Sequence, residues 1–326
     1  MKKALITGIY GQDGSFIYEL LKERGYQVYG IVRSSLSENS QKVKDELSCK
    51  GELPLVYEVD LQCYHSVKKV IEELAPDEIY HLSASHVSSE GKRNGEATDD
   101  NILFQKNISA TANLLAACWE ASRHTKFLTA GSCLMFDASD TVQQDETTPY
   151  RSASLYGIGK ITENQLVSYY RDKGLFACTA ILYNHESHRR SEDFVTKKIV
   201  KNMCMLKENP QHSFSLGDIE IKKDWGYAGD YVKGMHLMMQ TEKPDDYILA
   251  SGELHSIRNL LEVCAEILEL ENWERHISLN STFIHRTHTT QLYGNATRAE
   301  KELGWKREKQ FRDWILEMIV KTKEQL

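Results

Sequence analysis

Lys3-Ala4-Leu5-Ile6-Thr7-Gly8-Ile9-Tyr10-Gly11-Gln12-Asp13-Gly14-Ser15 lies at the start of the chain and decides how the rest of it folds. The apolar run ending at Thr7 predicts a buried strand, and helix-period spacing begins at Ser15. The glycines at 8, 11 and 14 therefore join a strand to a helix. In that position they let the backbone turn tightly and approach a pyrophosphate held at the helix N-terminus. The same spacing in a surface loop would be an ordinary turn. Between a strand and a helix it predicts a dinucleotide site.

Working outward, the alternation continues. Strands are predicted at residues 3–7, 27–32, 55–59, 78–82, 126–130 and 177–182, with helices at 15–24, 65–74, 107–121 and 157–172. Repeating βα units of this length predict an α/β fold, a doubly wound parallel sheet with helices on both faces. Beyond about residue 190 the pattern loosens into helices at 195–206, 230–240, 257–268 and 311–323, with short strands such as 247–250. The expected division is a dinucleotide-binding Rossmann domain over residues 1–188, carrying the catalytic groups, and a smaller mixed α/β substrate-binding region over 189–326, with segments crossing between them. The polar stretch 34–48 reads as a flexible loop.

The 326 residues are 41% hydrophobic and 27% charged, enough for a large core. A net charge of −7, with both signs spread along the chain, argues against a concentrated basic face and so against nucleic acid as a partner. None of the seven cysteines stands in C-x-x-C spacing, which indicates free thiols rather than a zinc site or a disulfide framework. No run reaches the roughly 18 apolar residues of a membrane span, and the apolar run after Met1 is short for a signal peptide. A soluble cytoplasmic protein is expected.

Two further patterns carry chemistry. The second predicted strand ends Val32-Arg33-Ser34-Ser35, placing a cation and hydroxyls where an NAD-selective site has a carboxylate for the ribose. That set suits the 2′-phosphate of NADP. Tyr156-Gly157-Ile158-Gly159-Lys160 puts a phenol and an ammonium on one helix face. The cation is expected to lower the tyrosine pKa, so that the phenol exchanges a proton with a carbinol while hydride moves to or from a nicotinamide. Ser132, just past the predicted strand 126–130, is placed to hydrogen-bond the reacting oxygen.

With these residues in view, the chain resembles the GDP-mannose 4,6-dehydratase branch of the extended short-chain dehydrogenases/reductases over nearly its whole length. The resemblance runs through Ile6-Thr7-Gly8, Gln12-Asp13-Gly14-Ser15 and Gly30-Ile31-Val32-Arg33. It continues in Asn184-His185-Glu186-Ser187 with Arg189-Arg190, Phe194-Val195-Thr196, Lys223-Asp224-Trp225-Gly226 and Asp245-Asp246-Tyr247. Gly252-Glu253, His255-Ser256 and Glu302-Leu303-Gly304-Trp305 complete it. It implies NADP(H) contacts from Gly8, Gly11, Gln12, Asp13, Gly14, Arg33, Asp60, Leu61, Leu82, Ser83, Ala84, Ser85, His185 and Arg190. It also implies that Asn184, Lys198, Lys223 and Arg286 hold a nucleotide sugar, GDP-linked by the family's habit, and that the chain forms a homodimer or homotetramer.

The departures matter as much. The family places a glutamate two residues after the catalytic Ser/Thr, in a segment reading roughly S/T-S-E-L-Y-G, to remove the C5 proton and expel the C6 hydroxyl. Here the segment reads Ser132-Cys133-Leu134-Met135-Phe136-Asp137, with Leu134 in the glutamate's place. Ser34 replaces a second arginine, and the segment from His81 to Val87 is one residue short of the family pattern. Arg286-Thr287-His288-Thr289 replaces R-P-x-E, and Lys223 stands for an arginine. The expected activity is NADPH-dependent reduction of a nucleotide-linked 4-keto-6-deoxy sugar. The alternatives are a dehydratase with its acid/base elsewhere, for example Asp137, a C4 dehydrogenase or epimerase, and a non-enzymatic cofactor-binding paralogue.

Overall fold

The computed structural model describes residues 1–51, 53–84, 100–137, 143–280 and 291–325. The chain begins β1 (Lys3–Thr7), α1 (Gln12–Glu23), β2 (Gln27–Val32), α2 (Glu38–Cys49), β3 (Leu55–Glu58), α3 (Tyr64–Leu74) and β4 (Glu78–His81). It continues α4 (Asp100–Ala121), β5 (Lys126–Ala130), α5 (Leu155–Asp172), β6 (Ala177–Leu182), β7 (Asn184–Glu186), α6 (Val195–Glu208), β8 (Phe214–Leu216) and β9 (Lys222–Tyr227). The last elements are α7 (Ala228–Gln240), β10 (Tyr247–Leu249), β11 (Leu254–Ser256), α8 (Ile257–Leu268), β12 (Ile277–Leu279), α9 (Thr297–Leu303) and α10 (Phe311–Lys323).

Seven strands form one parallel sheet in the order β10-β6-β5-β4-β1-β2-β3. Successive residues of one strand serve opposite faces, as the pleat demands. Ala4 and Ile6 join Tyr80 and Leu128 in one core layer, while Leu5 joins Ile79 and Phe127 in the other. The strand order reverses between β1 and β4, so their C-terminal ends open a crevice, the place where doubly wound sheets bind ligands.

A second core unites α6, α8 and α10 around Trp225 and Trp314. It is flanked by the three-stranded β11-β9-β7 sheet and the β12-β8 pair. Not everything after residue 189 belongs there. Met235 and Met238 of α7, Tyr247 of β10 and Trp305 after α9 pack into the core of the large sheet.

The stretch 34–48 is not a flexible loop but mostly the helix α2. The Ser37 side chain caps it, accepting from the Ser40 amide at 3.1 Å, and Val43 and Leu47 bury its inner face. With two apolar anchors in a polar run, its periodicity is faint in the sequence. Among the described residues no helix is long and apolar enough to cross a membrane. All seven cysteines are free, five of them buried.

Candidate active site

Gly8 takes a left-handed φ of +73°, and the Gly11 amide donates to its carbonyl at 2.8 Å. A Cβ on Gly14 would stand 2.2 Å from that same carbonyl oxygen, so only glycine lets α1 start this close to β1. Beside this turn runs a cleft of about 600 Å³. Of the expected cofactor residues, Gly8, Gly11, Arg33, Asp60, Leu61, Leu82, Ser83 and Ala84 line it. So do Ser35, read in the sequence beside Arg33, and Tyr10, Ser37, Ser40, Gln62, Lys106 and Asn107, which the sequence reading missed. The serines fell in the supposed loop. Lys106 was missed because α4 begins at Asp100, well before its apolar stripe.

The remaining expected cofactor residues sit behind the turn. Gln12 donates to the His185 carbonyl at 3.0 Å and accepts from the Ser187 hydroxyl at 2.9 Å. His185 Nε2 lies 3.0 Å from both Asp13 carboxylate oxygens, its Nδ1 is 2.7 Å from the Tyr183 carbonyl, and its ring stacks on Tyr231. Burial works against both charges of this pair, and their mutual attraction overcomes it. Asp13 is held below the usual carboxylate range and His185 above the usual imidazole range. Arg190 stacks on Phe194 with Glu186 at 3.3 Å. Ser85 lies outside the described residues.

The proton-transfer candidates gather where α5 meets the turn after β5. Ser132 closes that strand's exit and caps a 3-10 turn over Cys133–Phe136, its hydroxyl accepting from the Leu134 amide at 3.2 Å. A Cβ on Gly157 would lie 2.3 Å from the Leu134 carbonyl oxygen, so the glycine after Tyr156 is what lets α5 touch this turn. Lys160 Nζ lies 5.8 Å from the Tyr156 ring centre and 3.0 Å from Glu163 Oε2. Glu163 also accepts from Thr111, whose hydroxyl reaches the Asn107 carbonyl on the cleft wall. The expected lowering of the Tyr156 pKa is not what the structure has. Burial pushes the phenol above its usual value, and the Lys160 ammonium, pulling it down, offsets this only in part.

Asn184, on β7, donates to the Asp224 carbonyl at 3.3 Å. Lys223, on the neighbouring β9, is close enough for its charge to act on the Cys133 thiol, bringing the smaller sheet to the edge of the serine turn. Lys198 is half-buried on α6, and Arg286 lies outside the described residues.

The family model for GDP-mannose 4,6 dehydratase matches residues 5–318. The chain belongs to the GDP-mannose 4,6-dehydratase family. GDP-mannose 4,6 dehydratase 1 of Arabidopsis thaliana is 37% identical, with 98% of this chain and 89% of that protein aligned. The fold is shared with UDP-glucose 4-epimerase of Thermus thermophilus, solved with NAD, at TM-score 0.83 and 19% identity, covering 99% of this chain and 100% of that one. RMD from Pseudomonas aeruginosa, complexed with NADPH, matches at TM-score 0.80 and 19% identity over the same shares.

Within the dehydratase family the Ser132 turn is where the elimination glutamate is expected. Here Leu134 is half-buried and packs on the large-sheet core beside Cys133 and Phe136. Burial pushes the Cys133 thiol up to about 12, so it stays neutral and carries no proton away at ordinary pH. Asp137, the turn's C-cap, is buried at 2% exposure.

Proposed function

We propose that this family member reduces a nucleotide-linked 4-keto-6-deoxy sugar, GDP being the nucleotide, with NADPH as reductant. One observation carries the reading. Ser132 caps the turn after β5, Gly157 beside Tyr156 packs against that turn, and Lys160 lies 5.8 Å from the Tyr156 ring centre, while the position for the elimination glutamate holds a hydrocarbon and its neighbour a neutral thiol. Loss of a positioned general acid/base removes about 10²- to 10⁴-fold in rate, and elimination would use that group for two proton steps.

The cleft's donors fit a dinucleotide: backbone amides of the glycine turn for the pyrophosphate, Asp60 and Leu61 for the adenosine end, and Arg33 with Ser35, Ser37 and Ser40 around the start of α2. A guanidinium, hydroxyls and a helix N-terminus together favour a ribose 2′-phosphate over a bare hydroxyl. This supports NADP(H) over NAD(H).

When bound, the reduced nicotinamide supplies hydride to C4 of the sugar. The chain supplies the rest. Ser132 donates a hydrogen bond to the C4 carbonyl oxygen and fixes its direction. As the carbonyl π electrons move onto that oxygen, the Tyr156 O–H bond breaks and its proton completes the alcohol. The phenolate left behind is stabilised by Lys160 and reprotonated from solvent. The buried phenol starts protonated, as a proton donor must. Asn184 and Lys223 are the groups proposed to hold the sugar's diphosphate on the opposite side.

The test uses NADPH deuterated at the transferred position, with GDP-4-keto-6-deoxymannose. The reductase predicts one deuterium at sugar C4 for each cofactor oxidised. Turnover of a nucleotide sugar with no net cofactor oxidation would instead support an epimerase or dehydratase.

A further inference from the structure

Glu163 has no part in the reaction as set out above, yet it is buried against the catalytic lysine. Its side chain is 2% exposed and that of Lys160 5%, with Nζ and Oε2 3.0 Å apart. Thr111 of α4 donates to the same oxygen at 3.2 Å. The other oxygen, Oε1, is buried and accepts no hydrogen bond among the described residues. A carboxylate so placed is a poor device for stability, since a buried pair gains little over a well-packed apolar residue and an unmet acceptor is a penalty. Its effect falls on charge.

Among the described residues, the charged or titratable groups that act on Tyr156 come from three elements. Lys160 and Glu163 share its helix, neutral Cys133 lies on the 3-10 turn, and the Arg190 guanidinium approaches from the segment after β7. His81, at the end of β4, lies near Lys160. Burial and that ammonium push it down to about 3, so it is uncharged. Two cations thus bear on the phenol, and Glu163 opposes them.

We propose that Glu163 is a positioning residue: it anchors the Lys160 ammonium and opposes its charge at Tyr156, and so sets the pH at which the proton-donating phenol ionises. This rests on the reductase reading above, in which Tyr156 gives its proton to O4. A dehydrogenase working as an oxidant would gain from the opposite arrangement, an unopposed lysine favouring the phenolate.

The test is Glu163→Gln, neutral and of the same shape, compared with wild type and Glu163→Asp. The whole protein is labelled with ¹³Cζ-tyrosine, and the Tyr156 resonance is identified by its loss in Tyr156→Phe. In Glu163→Gln its ionisation midpoint is expected to fall by about one pH unit or more, with Glu163→Asp staying close to wild type. An unchanged midpoint in Glu163→Gln would overturn the proposal. If that variant does not fold, Glu163→Met, also neutral and of similar volume, takes its place. The titration involves no substrate, so it stands or falls apart from the identity of the sugar. With a reducible sugar in hand, the alkaline fall in the reduction rate should move to lower pH by the same amount, with KM for the sugar unchanged.

Discussion

Tyr156 illustrates what one side chain contributes and what its setting contributes. Tyr156→Phe removes the transferable proton and leaves the cofactor cleft intact. Reduction is expected to slow by about 10²-fold or more while NADPH affinity, measured by quenching of protein fluorescence, stays within twofold or so. Retained turnover would contradict the proton-donor role. Arg33 acts on selectivity instead. Arg33→Ala should weaken NADPH binding by about 10- to 100-fold, the worth of one charge-assisted hydrogen bond, and leave NADH binding nearly as it was. The Tyr-x-x-x-Lys spacing and Arg33 were legible in the sequence because each is a local pattern. Glu163 was not, since a glutamate on an amphipathic helix looks solvated until Thr111 of another helix is seen to cover it.

The elements explain how such residues meet. The first turn of α5 lies against the serine turn only because residue 157 has no side chain. Gly157→Ala is therefore expected to push the two apart, with a stability loss of about 1–3 kcal/mol read from urea unfolding and a fall in kcat larger than the change in KM. Six strands of the large sheet, and their parallel course, were legible as apolar runs in a βα repeat, whereas β10, read with the smaller region, joins the sheet beside β6. α2 was hidden because its stability comes from tertiary partners. Its Glu46 accepts from Arg189 at 2.8 Å, and an isolated polar segment of that length would be marginal as a helix. The first turns of α4 were hidden because their apolar residues, Ile102 to Phe104, lie exposed or half-buried rather than on a core.

At the scale of the whole molecule, a buried ionic cluster ties the first helices to the last. The Arg189 side chain, 1% exposed, donates to Glu19 and Glu46, and His188 bridges Glu46 and Glu317 of α10. Burial opposes the His188 charge, but the two carboxylates outweigh it and hold its pKa above the usual range. Contacts with His188 and Lys309 hold Glu317 down at about 2 despite its burial. The histidine's share of stability is therefore complete below its unfolded pKa of about 6.5 and is lost as pH rises through the raised folded value. The Glu317 share is complete above about 4.5 and is lost as pH falls towards about 2. Tm is expected to be highest near about pH 5–6.5. His188→Gln should flatten the decline just above neutral pH, where the similar His185–Asp13 pair still contributes a slope. No such network is readable in sequence, where its members are spread from Glu19 to Glu317.

Under the proposed function, family and chemistry part company at this scale, and one comparison of substrates decides between them. The purified protein is given GDP-mannose with NADP⁺ in D₂O, and separately GDP-4-keto-6-deoxymannose with NADPH. Oxidation of NADPH in the second mixture, with no loss of water and no deuterium at C5 in the first, is the expected result. Conversion of GDP-mannose to a 4-keto-6-deoxy product carrying deuterium at C5 would contradict it.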